Sequence, residues 1–336
     1  MKITWNRVKL ALLTLLVVIV AVAFLYDPLD YDRDPNRRLP ADFQTYYQQQ
    51  LEAGQQAGVR PGNEVRLVRF ADRTEYTILF IHGFGASRAG GEAVVDVIAN
   101  ELQANTYYMR LPGHGTNTAD HAAHDFREYL DATEDAFAML PRLGDKIILI
   151  GSSTGALLTT YLASKYPDRV YAMIMASPLY EFANPSTAMF DVPGGIYVVE
   201  ALYGPDRSAA WDDPRKQPGY EDHWQIDQKY RAVKNLADLR RYIVSDTTYG
   251  RITAPTLLFY YYKNEQEQDN VVSVPAMLEA LSQFGKFSHP HPLNRAVAVA
   301  EGYHILMSKY VASDKQFILS EIRTFLDAVR QSEPAQ

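Results

Sequence analysis

Five consecutive residues, Gly151-Ser152-Ser153-Thr154-Gly155, carry the most specific chemical signal in the chain. They follow the apolar run 146–150 and precede a helical pattern that ends before Pro167. A serine on a sharp strand-to-helix turn must take a strained backbone, and glycines two residues to either side relieve the crowding that would bury its hydroxyl. That spacing selects Ser153 as a nucleophile; Ser152 sits one position too early. Serine is weakly nucleophilic at neutral pH, so it needs a base, and the base needs an acid to orient it. After such a turn the chain order is acid, then base. His304, in Glu301-Gly302-Tyr303-His304, directly follows the last apolar run, where a loop can return its imidazole to Ser153. His289 and His291 precede that run in a Pro-flanked loop and read as surface residues. The acid should follow the run 256–261, and Glu265, Glu267 and Asp269 all do. Asp269 is favoured because Val271-Val272 would dock its loop on the core, with the two glutamates left as possible substitutes.

A tetrahedral intermediate also needs two preorganised N–H donors. One comes from the residue after the nucleophile, Thr154, and one from a Gly-rich loop after an early strand. Ile81-His82-Gly83-Phe84-Gly85 is such a loop and offers the backbone of Phe84, with His82 read as its brace. His121 and His124, beside Asp120 and Asp125, have a spacing open to a metal but read better as the start of a helix. No phosphate-cradling glycine loop ending in Lys-Ser/Thr is present. The expected chemistry needs no cofactor and no metal.

These groups require a scaffold. Short β-branched runs at 76–81, 106–110, 146–150, 170–176, 256–261 and 296–300 alternate with helical patterns, which predicts an α/β fold with a mostly parallel sheet covered by helices on both faces. The last helix should start at a Ser313-Asp314 cap and bury Ile318, Ile322, Phe325 and Val329 as one stripe. About 75 residues at 177–253 separate two of the strands where far fewer suffice. They read as a helical cap over the carboxyl ends of the strands, where open sheets of this kind place ligands. The cap is rich in aromatics, and Trp211 and Trp224 are expected to contact substrate. Residues 31–63, rich in Asp, Arg, Pro and Gln, read as a polar stalk, leaving 64–333 as the folded domain.

The N-terminus is basic at Lys2, Arg7 and Lys9, then apolar over the seventeen residues 10–26 apart from Thr14. Seventeen residues is about the lower limit for spanning a bilayer. The segment 1–30 therefore reads as an uncleaved transmembrane helix, with a cleaved signal peptide as the alternative, and the basic arm would leave the remaining chain on the extracytoplasmic side. The composition narrows the partners. With 33 Lys+Arg against 40 Asp+Glu the net charge is −7. No basic run exists, so the footprint of a nucleic-acid binder is missing. The chain has no cysteine, which removes disulfides, thiolate metal sites and a cysteine nucleophile.

Ile81-His82-Gly83-Phe84-Gly85, Arg110-Leu111-Pro112-Gly113-His114-Gly115, Gly151-Ser152-Ser153-Thr154-Gly155, Asp269-Asn270-Val271-Val272 and Gly302-Tyr303-His304 together resemble the α/β-hydrolase superfamily. Within it they are most similar to the carboxylesterase and monoacylglycerol-lipase-like branch, often described as serine aminopeptidase-like. The resemblance covers about residues 65–330. It implies a serine esterase with a Ser153-Asp269-His304 triad; together with the N-terminal segment and the cap, the reading is a membrane-anchored serine hydrolase acting on a small ester, short to medium or lipid-like in its acyl part. The same triad could cleave an amide or thioester or transfer the acyl group, and a scaffold protein retaining a hydrolase shell is the reading from another class.

Overall fold

The structure is a computed structural model that describes residues 5–25 and 29–333. Seven strands form one sheet: β1 Arg66–Val68, β2 Thr74–Ile81, β3 Asn105–Tyr108, β4 Gly144–Ser152, β5 Ala172–Ala176, β6 Thr256–Tyr261 and β7 Arg295–Val299. Their spatial order is β1-β3-β2-β4-β5-β6-β7. β1 pairs antiparallel with β3, and every other pair is parallel. Every expected strand is present to within two residues at each end. β1 is the addition, a three-residue edge strand too short to show an alternating pattern.

Side-chain alternation along the strands builds two cores. Leu79, Ile81, Ile147 and Leu149 point to one face with the helices Phe126–Met139 and Thr154–Lys165, while Ile78, Phe80, Ile148 and Ile150 point to the other with Glu92–Leu102 and Lys315–Gln331. Burial on both faces is why β4 reads as an unbroken apolar run. The C-terminal helix starts as its cap predicts: the Asp314 side chain accepts from the Phe317 N–H, and Ile318, Ile322, Phe325 and Val329 are buried.

Two expectations need correction. Residues 31–63 are no free stalk. Phe43 and Tyr46, three apart on the helix Phe43–Gln56, are buried edge-on against Tyr107. Arg33 pairs with Glu134 and Asp135, and Arg37 with Asp131 and Asp135, so this segment packs on the domain body. At the N-terminus the apolar run does form a helix, Trp5–Leu25, whose large side chains from Leu10 to Val20 are each more than half exposed. Yet among the described residues no helix is long and apolar enough to cross a membrane, so the expected transmembrane anchor is not supported. Tyr26, which the apolar run included, lies outside the described residues.

Between β5 and β6 lies the cap, with the helices Gly195–Tyr203, Tyr220–His223, Tyr230–Ile243 and Asp246–Gly250. It also contains an antiparallel ribbon, Asp206–Ser208 with Asp227–Lys229, which the sequence did not announce.

Candidate active site

Ser153 directly follows β4, as the residue before the helix Thr154–Lys165, and holds φ 54°, ψ −113°. Positive φ in a residue with a side chain stores on the order of 1–3 kcal/mol. The surrounding bonds impose it: the Ser153 N–H donates to the Ala176 carbonyl at 2.8 Å, and the Ser153 carbonyl accepts from Leu157 at 3.0 Å. The flanking glycines act through space. A Cβ on Gly155 would stand 1.9 Å from the Ile81 carbonyl oxygen, and one on Gly151 would stand 2.6 Å from the Gly155–Ala156 backbone. Strand and helix approach this closely only without side chains at those positions.

After β6 the chain leaves on the excursion 262–268, closed on itself by Tyr262 against Gln268 and by the Lys263 N–H to the Glu267 carbonyl at 2.9 Å. It returns where the Asp269 N–H donates to the Tyr261 carbonyl at 3.0 Å, at the end of the strand. Asp269 is buried. Its Oδ1 accepts from the Val271 and Val272 N–H groups at 2.9 and 3.1 Å, and its Oδ2 faces His304 Nδ1 at 2.8 Å. With Oδ2 as acceptor, Nδ1 carries the proton and Nε2 has a free lone pair. Of the two substitutes, Glu265 accepts from the Tyr262 hydroxyl and Glu267 pairs with Lys263, both exposed and away from the imidazole. Ser153, His304, Trp211 and Trp224 line one cavity of about 430 Å³ under the cap. His289 is exposed, and His291 Nδ1 accepts from the Leu293 N–H in the loop before β7.

The loop after β2 passes directly over the serine, since a Cβ on Gly83 would lie 3.2 Å from Ser153 Cβ. Among the described residues the Phe84 N–H meets no protein acceptor. Thr154 opens its helix, where the first N–H groups have no intrahelical partner. His82 braces this loop: Nδ1 donates to the Gly83 carbonyl at 2.9 Å and Nε2 accepts from the Leu111 N–H at 3.1 Å. Full burial lowers its pKa to about 4, so it stays neutral. Behind it, the His121 ring lies 4.6 Å from that of Phe84 and 4.7 Å from that of His114. His124 instead bonds Asp120 and Glu128, and among the described residues no group of three His, Asp or Glu could hold a metal.

The cap is tied to the histidine loop. Trp211 stacks on Tyr303 at 4.5 Å, and Arg215, paired with Asp213, donates to the Gly302 carbonyl at 2.6 Å and covers the Tyr303 ring. Tyr303 in turn donates to Asn270 at 2.9 Å. Arg215 and Asn270 thus flank His304 and Asp269, roles that no local motif betrays.

A parallel sheet with a strained serine at its central strand-to-helix turn, under a helical cap, defines the class. A model of the alpha/beta hydrolase family matches residues 78–308, and the chain belongs to that family. Among curated proteins it is 35% identical over 104 residues to Protein ABHD8 of Homo sapiens, covering 31% of this chain and 23% of that one. It is 27% identical over 99 residues to the thermostable monoacylglycerol lipase of Bacillus sp. (strain H-257), covering 30% of this chain and 39% of that one. The matches thus span well under half the length of these relatives. Similar solved structures include one from work on LipS and LipT, two metagenome-derived lipolytic enzymes (TM-score 0.59, 20% identity, 81% of this chain and 99% of that one). Another is a soluble variant of the Saccharomyces cerevisiae monoglyceride lipase (TM-score 0.57, 13% identity, 79% and 92%).

Proposed function

We propose that this chain is a serine hydrolase of carboxylic esters. Ser153 Oγ attacks the ester carbonyl while His304 Nε2 takes its proton. Asp269 keeps the ring in that tautomer and stabilises the imidazolium. The Phe84 and Thr154 N–H groups receive the oxyanion, His304 returns the proton to the leaving alcohol, and water releases the acyl group by the reverse sequence. The observation that carries this reading is the buried 2.8 Å contact of Asp269 with His304 on the wall of the cavity that also holds the strained Ser153. Membership of the family and similarity to lipases and esterases support it.

The acyl group is of short to medium length or lipid-like. Leu179, Phe182, Val233, Leu236 and the two tryptophans give the cavity its apolar wall. Each added methylene should gain roughly 0.8 kcal/mol, about fourfold in kcat/KM, until the cavity is full. The test is a series of 4-nitrophenyl esters of graded acyl length. A rise followed by a plateau, flattened by Trp211→Ala or Trp224→Ala, supports the reading; indifference to acyl length, or a preference for charged peptides, refutes it.

A further inference from the structure

The cavity wall carries a cation that the reaction above does not use. In the ribbon, Arg207 stands directly opposite Gln228. Cross-strand partners share a face, and their neighbours along each strand take the other. Asp206 and Lys229 occupy that other face, joined to each other by a 2.8 Å ion pair. The inner face is the Arg207 face. Gln228 is buried there, with its Nε2 2.9 Å from where a Cβ on Gly85 would stand, hence directly against the loop that carries Phe84. Arg207 and Gln228 both line the cavity of Ser153 and His304.

Arg207 is half-buried and, among the described residues, its side chain has no ion pair or hydrogen bond. Burial pulls its pKa below the ordinary arginine value, opposed only by Tyr230. Other half-buried arginines of the cap are compensated: Arg215 by Asp213 at 2.5 Å and Arg240 by Asp191 at 2.6 Å. A guanidinium held partly out of water without a counter-charge is unfavourable, and nothing among the described residues receives its five donors. Their fork geometry matches a carboxylate or phosphate. Beside it, Gln228 Oε1 is buried without a partner and can accept from a hydroxyl or water accompanying that anion.

We infer that Arg207, supported by Gln228, is a specificity residue that recognises an anionic oxygen group on the substrate, so that the natural ester carries a carboxylate or a phosphate on the part lying under the ribbon. The inference rests on Ser153 being the nucleophile of this cavity. It is tested on the full chain with three esters of one alcohol: the mono-4-nitrophenyl ester of adipic acid, its uncharged terminal amide, and 4-nitrophenyl 5-phosphonopentanoate. The wild type should favour at least one acid over the amide by about tenfold in kcat/KM, as expected for a charge-assisted pair, and the better acid reports whether carboxylate or phosphate is read. Arg207→Gln should bring the ratio to about one, while Arg207→Lys keeps part of it. Because the ratio is taken within each variant, a general loss of folded protein cancels. A wild-type ratio near one, or an unchanged ratio in Arg207→Gln, overturns the inference. If Ser153→Ala abolishes hydrolysis while Arg207→Gln leaves the ratio unchanged, the anion site alone is rejected; if Ser153→Ala still hydrolyses the esters, the catalytic reading falls and the inference with it.

Discussion

Asp269→Asn separates the positioning of His304 from its mere presence. In the native site Oδ1 accepts two backbone N–H groups, from Val271 and Val272, and Oδ2 accepts the proton of His304 Nδ1. An asparagine that keeps its oxygen on the two N–H groups must turn its NH2 toward Nδ1. That forces the imidazole proton onto Nε2 and leaves no lone pair there to accept a proton from Ser153. The flipped amide restores the working tautomer but leaves both backbone N–H groups unsatisfied. At about 1–3 kcal/mol for each buried group, the flipped form is disfavoured by roughly 2–6 kcal/mol. Its population, and with it kcat/KM, should fall by about 30-fold to 10⁴-fold. The change is isosteric, so the thermal midpoint should move by only a few degrees. Kinetics on 4-nitrophenyl butyrate, with circular dichroism on the same preparation, measure both. A variant within tenfold of wild type would refute the tautomer argument, and a greater loss in Glu265→Gln or Glu267→Gln would reassign the acid.

Gly155→Ala should be a folding mutation, since its Cβ would stand 1.9 Å from the Ile81 carbonyl oxygen. A cost of about 3 kcal/mol or more would appear as a drop of about 5 °C or more in Tm; an unchanged Tm would contradict the packing. His121 is held neutral by burial, with its pKa lowered from 6.5 to about 4, so the unfolded chain binds the extra proton in that window. The stability from keeping it neutral is full above about pH 6.5 and lost as pH falls toward 4, about 3 kcal/mol for this group. His121→Phe loses no hydrogen bond, as among the described residues both ring nitrogens lack partners, and urea midpoints at pH 7 and 4.5 should therefore differ less than in wild type. Arg215→Met removes the donor to the Gly302 carbonyl and should lower kcat about tenfold with little change in KM, Arg215→Lys recovering part of it. An effect on KM alone would place Arg215 in binding rather than in holding the histidine loop.

What was legible in the sequence was what is local or periodic. Both faces of β4 are buried, so it shows as an unbroken apolar run, and the glycines beside Ser153 show because a Cβ cannot fit there. Asp269 was separable from Glu265 and Glu267 through Val271-Val272, whose N–H groups do bind it. Contacts between distant segments left no such trace. Phe43 and Tyr46 sit in a Gln-rich stretch that looked like a linker because their partner, Tyr107, lies on β3. The ribbon strands have three residues each and no apolar alternation, so neither they nor the orientation of Arg207 could be read. The apolar run at 10–26 shows its helix, while its reading as a membrane span finds no support among the described residues.

The central claim is that Ser153 is the activated nucleophile. Incubating the full chain with a fluorophosphonate, which couples covalently to activated serines, and mapping the adduct by peptide mass spectrometry tests it most directly. One adduct on Ser153 is expected, absent in Ser153→Ala, retained in Ser152→Ala and strongly slowed in His304→Ala. An adduct on Ser152, or none on folded wild-type protein, would contradict it.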